Sequence, residues 1–274
     1  MIAAQVARTR QLVWPREHGA WGMLLVPLLT GAWIGIRAGG SGSHVLLFTV
    51  VTLALFFTRT PVESLLGTSP LKATRAERSA VIPYAFVFGL ITSVLLALLF
   101  WDGNKLGLLA LGGAVAVLFA IQVALRRFGR STRMAAQIAG ALALTSTAPG
   151  AYYAATGKFG AVAFGLWFAN WIFAANQIHF VQLRLRASRC ATWEDRYARG
   201  RGFVAGQLVM ILALALAWAF GIVPTLVLLA FVPILIRGLI WFFSSQRPLT
   251  LHRLGMTELA HAVAFGALLI AGLR

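Results

Sequence analysis

The chain has 274 residues, of which 59% are hydrophobic and only 11% charged, whereas a soluble domain carries about 25% charged residues. That excludes a water-soluble fold, because one core of this size could not cover so much apolar surface; in a bilayer, lipid takes the place of the core. The 24 Lys+Arg against 7 Asp+Glu give a net charge of +17, and nearly all the cations are arginines in short segments between apolar runs. There they read as orientation signals and headgroup contacts, not as a nucleic-acid surface.

A spanning helix needs about 20 mostly apolar residues. Arg8, Arg10 and Arg16 precede the first apolar run, as in a signal peptide, but no small-residue cleavage site follows, so the run reads as a retained helix. The predicted spans are Gly19–Ile36, His44–Thr58, Ala80–Trp101, Leu106–Leu125, Met134–Thr156, Gly160–Leu183, Phe203–Phe220, Ile222–Phe243 and Glu258–Leu273. The stretch from Phe203 to Ile236 holds no charge and is too long for one span; Gly221 and Pro224 divide it into a tight helical hairpin. The short second span leaves eight or ten spans as alternatives to nine. The whole chain, 1–274, reads as one all-α polytopic membrane domain without a linker. Cys190 is the lone cysteine, so no intramolecular disulfide forms.

Nine spans put the N-terminus on the same side as the loops after spans two, four, six and eight. That side collects 20 of the 24 basic residues; the other holds only Arg37, Lys105, Lys158 and Arg274. Positive charge accumulates in cytoplasmic loops, which predicts a cytoplasmic N-terminus, an outside C-terminus and a place in the cell (inner) membrane. The longest polar loops, Arg59–Ser79 and Arg184–Gly202, are then both cytoplasmic, and function is expected on that side.

Ionisable groups at membrane depth are costly and mark candidate sites. Arg16, Glu17 and His18 come together just before Gly19; Pro15 and Glu17 also suit a plain helix start. At the end of span two, Pro61 is expected to break the helix, while Arg59 either pairs with Glu63 or faces a pocket as a fixed cation suited to phosphate. In span five, Thr145, Ser146 and Thr147 precede Pro149 and can satisfy carbonyls freed by a kink there. Gly31 and Gly35 form a Gly-x-x-x-Gly packing signal. Span six carries Asn170, Gln177 and Arg184 on one face and Asn176, His179 and Arg186 on another, which places it inside the bundle. The amides alone suit interhelical hydrogen bonding; with His179 and two arginines they suit a ligand. Span nine opens with Glu258 and, one turn on, His261. Three histidines and Glu258 near one boundary could meet at a metal, but no His-Glu-x-x-His spacing occurs, and no metal or cofactor is assigned.

The run Trp14-Pro15-Arg16-Glu17-His18-Gly19-Ala20-Trp21-Gly22-Met23-Leu24-Leu25-Val26-Pro27, with Thr257-Glu258-Leu259-Ala260-His261 near the end, resembles the YwiC-like family of bacterial membrane proteins. That resemblance implies a polytopic inner-membrane protein and no particular activity. Topology and the two inner loops are more distantly similar to the nine-helix UbiA-type prenyltransferases, whose Asp-rich loops hold Mg²⁺ on a prenyl pyrophosphate. Here the first loop offers only Glu63 and Glu77, and the second offers Glu194 and Asp195 after Arg184 and Arg186. Mg²⁺ needs carboxylates, so this sequence departs from the pattern that Mg²⁺-dependent prenyl transfer requires.

Three functions are therefore in play. The first is a cytoplasm-facing pocket that binds or processes an anionic ligand, phosphate-bearing or lipid-linked. Arg16, Arg59, Asn176, His179, Arg184 and Arg186 would bind it, and Glu17, His18, Glu258 and His261 would move protons. If this is an enzyme, the UbiA resemblance implies a transferase. The second is a transporter. The third is a non-catalytic assembly factor for a membrane complex. The bilayer and its anionic lipids are the expected partners in each.

Overall fold

The computed structural model describes residues 8, 12–14, 18–67, 73–101, 106–129, 131–187, 190, 192–243 and 250–273. Among these residues there is no strand. The helices are α1 (His18–Arg37), α2 (Gly42–Leu65), α3 (Arg75–Trp101), α4 (Leu106–Arg127), α5 (Arg133–Thr145), α6 (Thr147–Thr156), α7 (Ala161–Arg186), α8 (Trp193–Ala219), α9 (Thr225–Leu229), α10 (Val232–Phe243) and α11 (Leu251–Gly272). Only Ser146 separates α5 from α6, and only Ala230 and Phe231 separate α9 from α10. Among the described residues the segments thus form nine membrane-length units, eight of them long and apolar enough to cross a bilayer. Their outer faces carry exposed Phe86, Leu109, Leu212 and Leu239, which lipid covers in a multi-pass membrane protein.

Several boundaries differ from the sequence reading. Helix α2 does not stop near Thr58; it runs on to Leu65 with Pro61 inside it. The proline removes one donor, but the Arg59 Nε to Glu63 Oε1 pair at 2.9 Å spans that turn, and Ser64 Oγ donates to the Pro61 carbonyl at 2.9 Å. The second long loop shrinks in the same way, because α8 begins at Trp193, ten residues before the predicted span. Thr192 caps it, its Oγ1 accepting from the Asp195 amide at 3.2 Å, with Glu194 and Asp195 in the first turn. Helix α11 likewise begins at Leu251, seven residues before Glu258. The predicted hairpin is present: Gly221 turns the chain at φ +69° and Pro224 is the N-cap of α9.

The break in the fifth unit falls at Ser146, three residues before Pro149. Pro149 has no N–H for the Thr145 carbonyl, so the strain is released upstream. Hydroxyls close the gap: Thr145 Oγ1 donates to the Ala141 carbonyl at 2.9 Å, Ser146 Oγ to Ala143 at 2.6 Å, and Thr147 Oγ1 to Leu24 of α1 at 3.1 Å. Helix α1 lies directly on α6. A Cβ at Gly31 would run into the Ala148 carbonyl oxygen, and one at Gly35 would stand 2.7 Å from the Ala155 Cβ, so the Gly-x-x-x-Gly pair is a packing seam.

Helix α7 is the most enclosed of the single-helix spans. Its Leu166, Ala169 and Phe173 pack into the main core, where Phe173 stacks on Phe265 of α11 at 4.1 Å between centroids. Asn170 ties it to α1 by donating to Thr30 Oγ1 at 3.3 Å. Six residues further on, Asn176 opens a polar layer that lies between this core and a second one around Phe180, Leu183 and Phe203.

Candidate functional site

Two polar centres occupy the arginine-rich ends of the helices. The first joins α7, α8, α10 and α11. Arg237 of α10 is ion-paired through Nη1 with Glu258 of α11 and donates through Nη2 to Asn176 Oδ1 of α7 at 3.0 Å. Its guanidinium carbon lies 4.1 Å from the centroid of the Phe180 ring, one turn along α7. Asn176 passes its own Nδ2 to Met210 Sδ of α8 at 3.4 Å, and Gln177 Nε2 donates to the Glu258 carbonyl at 2.7 Å. Both side chains of the pair are buried, at 9% and 11% exposure. Glu258 lies seven residues into α11, about 10 Å along the helix from its start.

Satisfaction is incomplete there. Glu258 Oε1, Arg237 Nε and both polar atoms of the Gln207 amide are buried without a hydrogen-bond partner. Gln207 belongs to the same layer. It sits on α8 one turn from Met210 and one from Phe203, with its Nε2 3.7 Å from where a Cβ on Gly238 would stand. Arg184 and His261 are within electrostatic reach of Glu258. His179 faces Phe203, at 5.4 Å between rings, and closes on Gly206, with Arg186 near enough to act on it electrostatically.

The second centre joins α2 and α4. Glu63 of α2 takes Arg59 on Oε1 at 2.9 Å and Arg126 of α4 on Oε2 at 3.0 Å, two cations on one carboxylate. Arg59 also lines a cavity of about 550 Å³ enclosed by α1 to α6. The cavity wall is almost wholly apolar; Thr52, Thr58, Gln122, Ser146 and Thr147 supply its few polar atoms. Gln122, itself buried, closes against Gly140, where a Cβ would meet its Nε2 at 2.6 Å.

The sequence candidates thus divide. Asn176 and Glu258 meet through Arg237, with Arg184 and His261 within electrostatic reach of Glu258; His179 stands one turn from Asn176 on α7, and Arg184 and Arg186 follow at that helix's end. Arg59 is elsewhere, in the second centre. Arg16 and Glu17 lie outside the described residues, and His18 opens α1. His261 Nδ1 is 2.7 Å from the Thr257 carbonyl within its own helix. The described residues hold no cluster of three His, Cys, Asp or Glu. Sequence reading puts Arg237 inside the eighth span and counts it with the cytoplasmic charges without marking it as a site residue, although it is the first charge after a run of uncharged residues from Phe203 and lies inside α10. It also missed Arg126, which stands one turn from Gln122 on the same face of α4. Asn170 and Gln177 do make the interhelical bonds expected of membrane amides.

Residues 14–152 match the family model described as YwiC-like protein. No curated protein and no solved structure matches the chain.

Proposed function

We propose that this chain, which belongs to the YwiC-like family, binds an anionic, phosphate-class ligand at the polar centre between α7, α8, α10 and α11, on the cytoplasmic side of the inner membrane. The observation that carries the reading is a buried Arg237–Glu258 pair with hydrogen-bonding atoms still open around it. An ion pair at this depth costs desolvation that its own attraction rarely repays, so open polar atoms beside it point to a guest.

The open atoms describe that guest. Arg237 Nε and the Gln207 amide nitrogen are donors in search of acceptors; Glu258 Oε1 and the Gln207 oxygen are acceptors in search of donors. A hydrogen phosphate or phosphate monoester carries both kinds of atom. Arg184, within electrostatic reach, adds the charge that the neutral Arg237–Glu258 pair lacks, with His179 one turn from Asn176 and Arg186 two residues beyond Arg184, and guanidinium geometry suits phosphate oxygens. Glu258 Oε1 would accept the ligand's O–H, and His261 stands where a proton could be passed to water. The basic-residue asymmetry supports the cytoplasmic side.

The nine units agree in number with a UbiA-type bundle. Of the carboxylates that such an enzyme would give to Mg²⁺, Glu63 is committed to two arginines and Glu77 to the Thr74 amide and hydroxyl at the start of α3, while Glu194 and Asp195 lie in the first turn of α8. That argues for direct arginine binding of the anion.

The test is titration of the nanodisc-embedded protein with inorganic phosphate and a soluble phosphate monoester. Arg184→Gln is expected to weaken binding at least about tenfold, and Glu258→Gln to weaken the protonated monoester most. Binding that is absent, or unchanged in Arg184→Gln, overturns the reading.

A further inference from the structure

The cavity between α1 and α6 uses none of these residues. It runs beside α2 from Phe48 to Val62, about 20 Å of helix and two-thirds of the hydrocarbon thickness. About 550 Å³ spread over that length leaves a cross-section of roughly 27 Å², which one aliphatic chain fills and two do not. Phe48, Phe100 and Leu108 line it toward one end of the helices, Arg59 and Gln122 toward the other. Gly112 and Gly113 of α4 border it with nothing within 4 Å of an added Cβ, so small residues keep the space open.

Charge selects the head. Two guanidiniums share the single carboxylate of Glu63. Arg59 places its Nε on Glu63 and also lines the cavity. We infer that this cavity is a second, separate binding site that holds one aliphatic chain of an anionic amphiphile, with the chain along α2 and the head at Arg59. Thr58, one residue away, has its hydroxyl bonded back to Ala54 at 2.8 Å, so the polar edge of the site is the guanidinium itself. An apolar chain gains by leaving water, and a guanidinium favours the one headgroup sign that the bilayer's own anionic lipids and lipid-linked phosphates share.

The experiment is native mass spectrometry of the full chain released from nanodiscs containing phosphatidylglycerol, with and without added hexadecyl phosphate. Wild type is expected to retain one amphiphile per protein. Arg59→Gln is expected to cut retention at least fivefold, Arg59→Lys to restore most of it, and Gly113→Leu to abolish it by filling the space. Retention of phosphatidylglycerol with this sensitivity assigns the site to a chain of a bilayer lipid; retention of hexadecyl phosphate in its place assigns it to a single-chain phosphate. Retention of neither, or retention that both Arg59→Gln and Gly113→Leu leave intact, overturns the inference. Glu258→Gln should leave retention unchanged, so failure of the phosphate site and failure of this one read out separately.

Discussion

The two polar centres hold their charges in opposite ways. In the α2–α4 centre, Arg59 and Arg126 keep 17% and 22% of their side chains exposed, and Arg59 lines an apolar space. In the α7–α11 centre, Arg237 and Glu258 are closed in by four helices, with an aromatic ring over the guanidinium and Asn176 beside it. Water or headgroups can relieve the first set when one partner is lost. The second set, buried among helices, has no such access to solvent. Burial, more than charge count, decides how much each arginine depends on its carboxylate.

Carboxylate removal breaks the comparison most directly. Glu258→Ala should destabilise the bundle by about 3–5 kcal/mol, because it strands a buried cation; Glu63→Ala, which leaves two partly solvated arginines, should cost about 1 kcal/mol. Thermal unfolding in mild detergent reads both, and equal losses would contradict the contrast. Glycines sharpen it next. Gly31→Leu drives a side chain into the Ala148 backbone and should cost about 3 kcal/mol, whereas Gly113→Ala, in the cavity wall, should shift the same transition by under about 0.5 kcal/mol. The smallest effect has the opposite sign. Gln207→Leu removes a buried amide whose polar atoms have no partner and should raise the stability of ligand-free protein by about 1 kcal/mol, while lowering phosphate affinity.

Much of this architecture was legible in the residues. Hydropathy located nine units because a bilayer demands length and apolarity and little else, and Gly221 with Pro224 marked the hairpin. Gly31 and Gly35 announced a close helix seam, and the polar faces of α7 announced an interior helix. What was not legible depended on partners. Pro61 reads as a breaker until Glu63 is seen bridging its turn to Arg59. The start of α8 is polar, so hydropathy stops at Phe203, although Thr192 three residues before Asp195 is a cap signal. Arg237 lies within the predicted eighth span, but nothing local to it points to Asn176 and Glu258 as its partners. Glu63 and Arg126 are 63 residues apart, and no local pattern relates them. The cavity itself is a void among six helices, which no single helix encodes.

The central claim is that the two centres are separate sites with different guests. Phosphate titration and amphiphile retention, measured side by side on wild type, Arg184→Gln and Arg59→Gln in nanodiscs, test it most directly. The account predicts that Arg184→Gln loses phosphate binding and keeps its amphiphile, and that Arg59→Gln does the reverse. Parallel loss of both guests in each variant, or loss in neither, would contradict it.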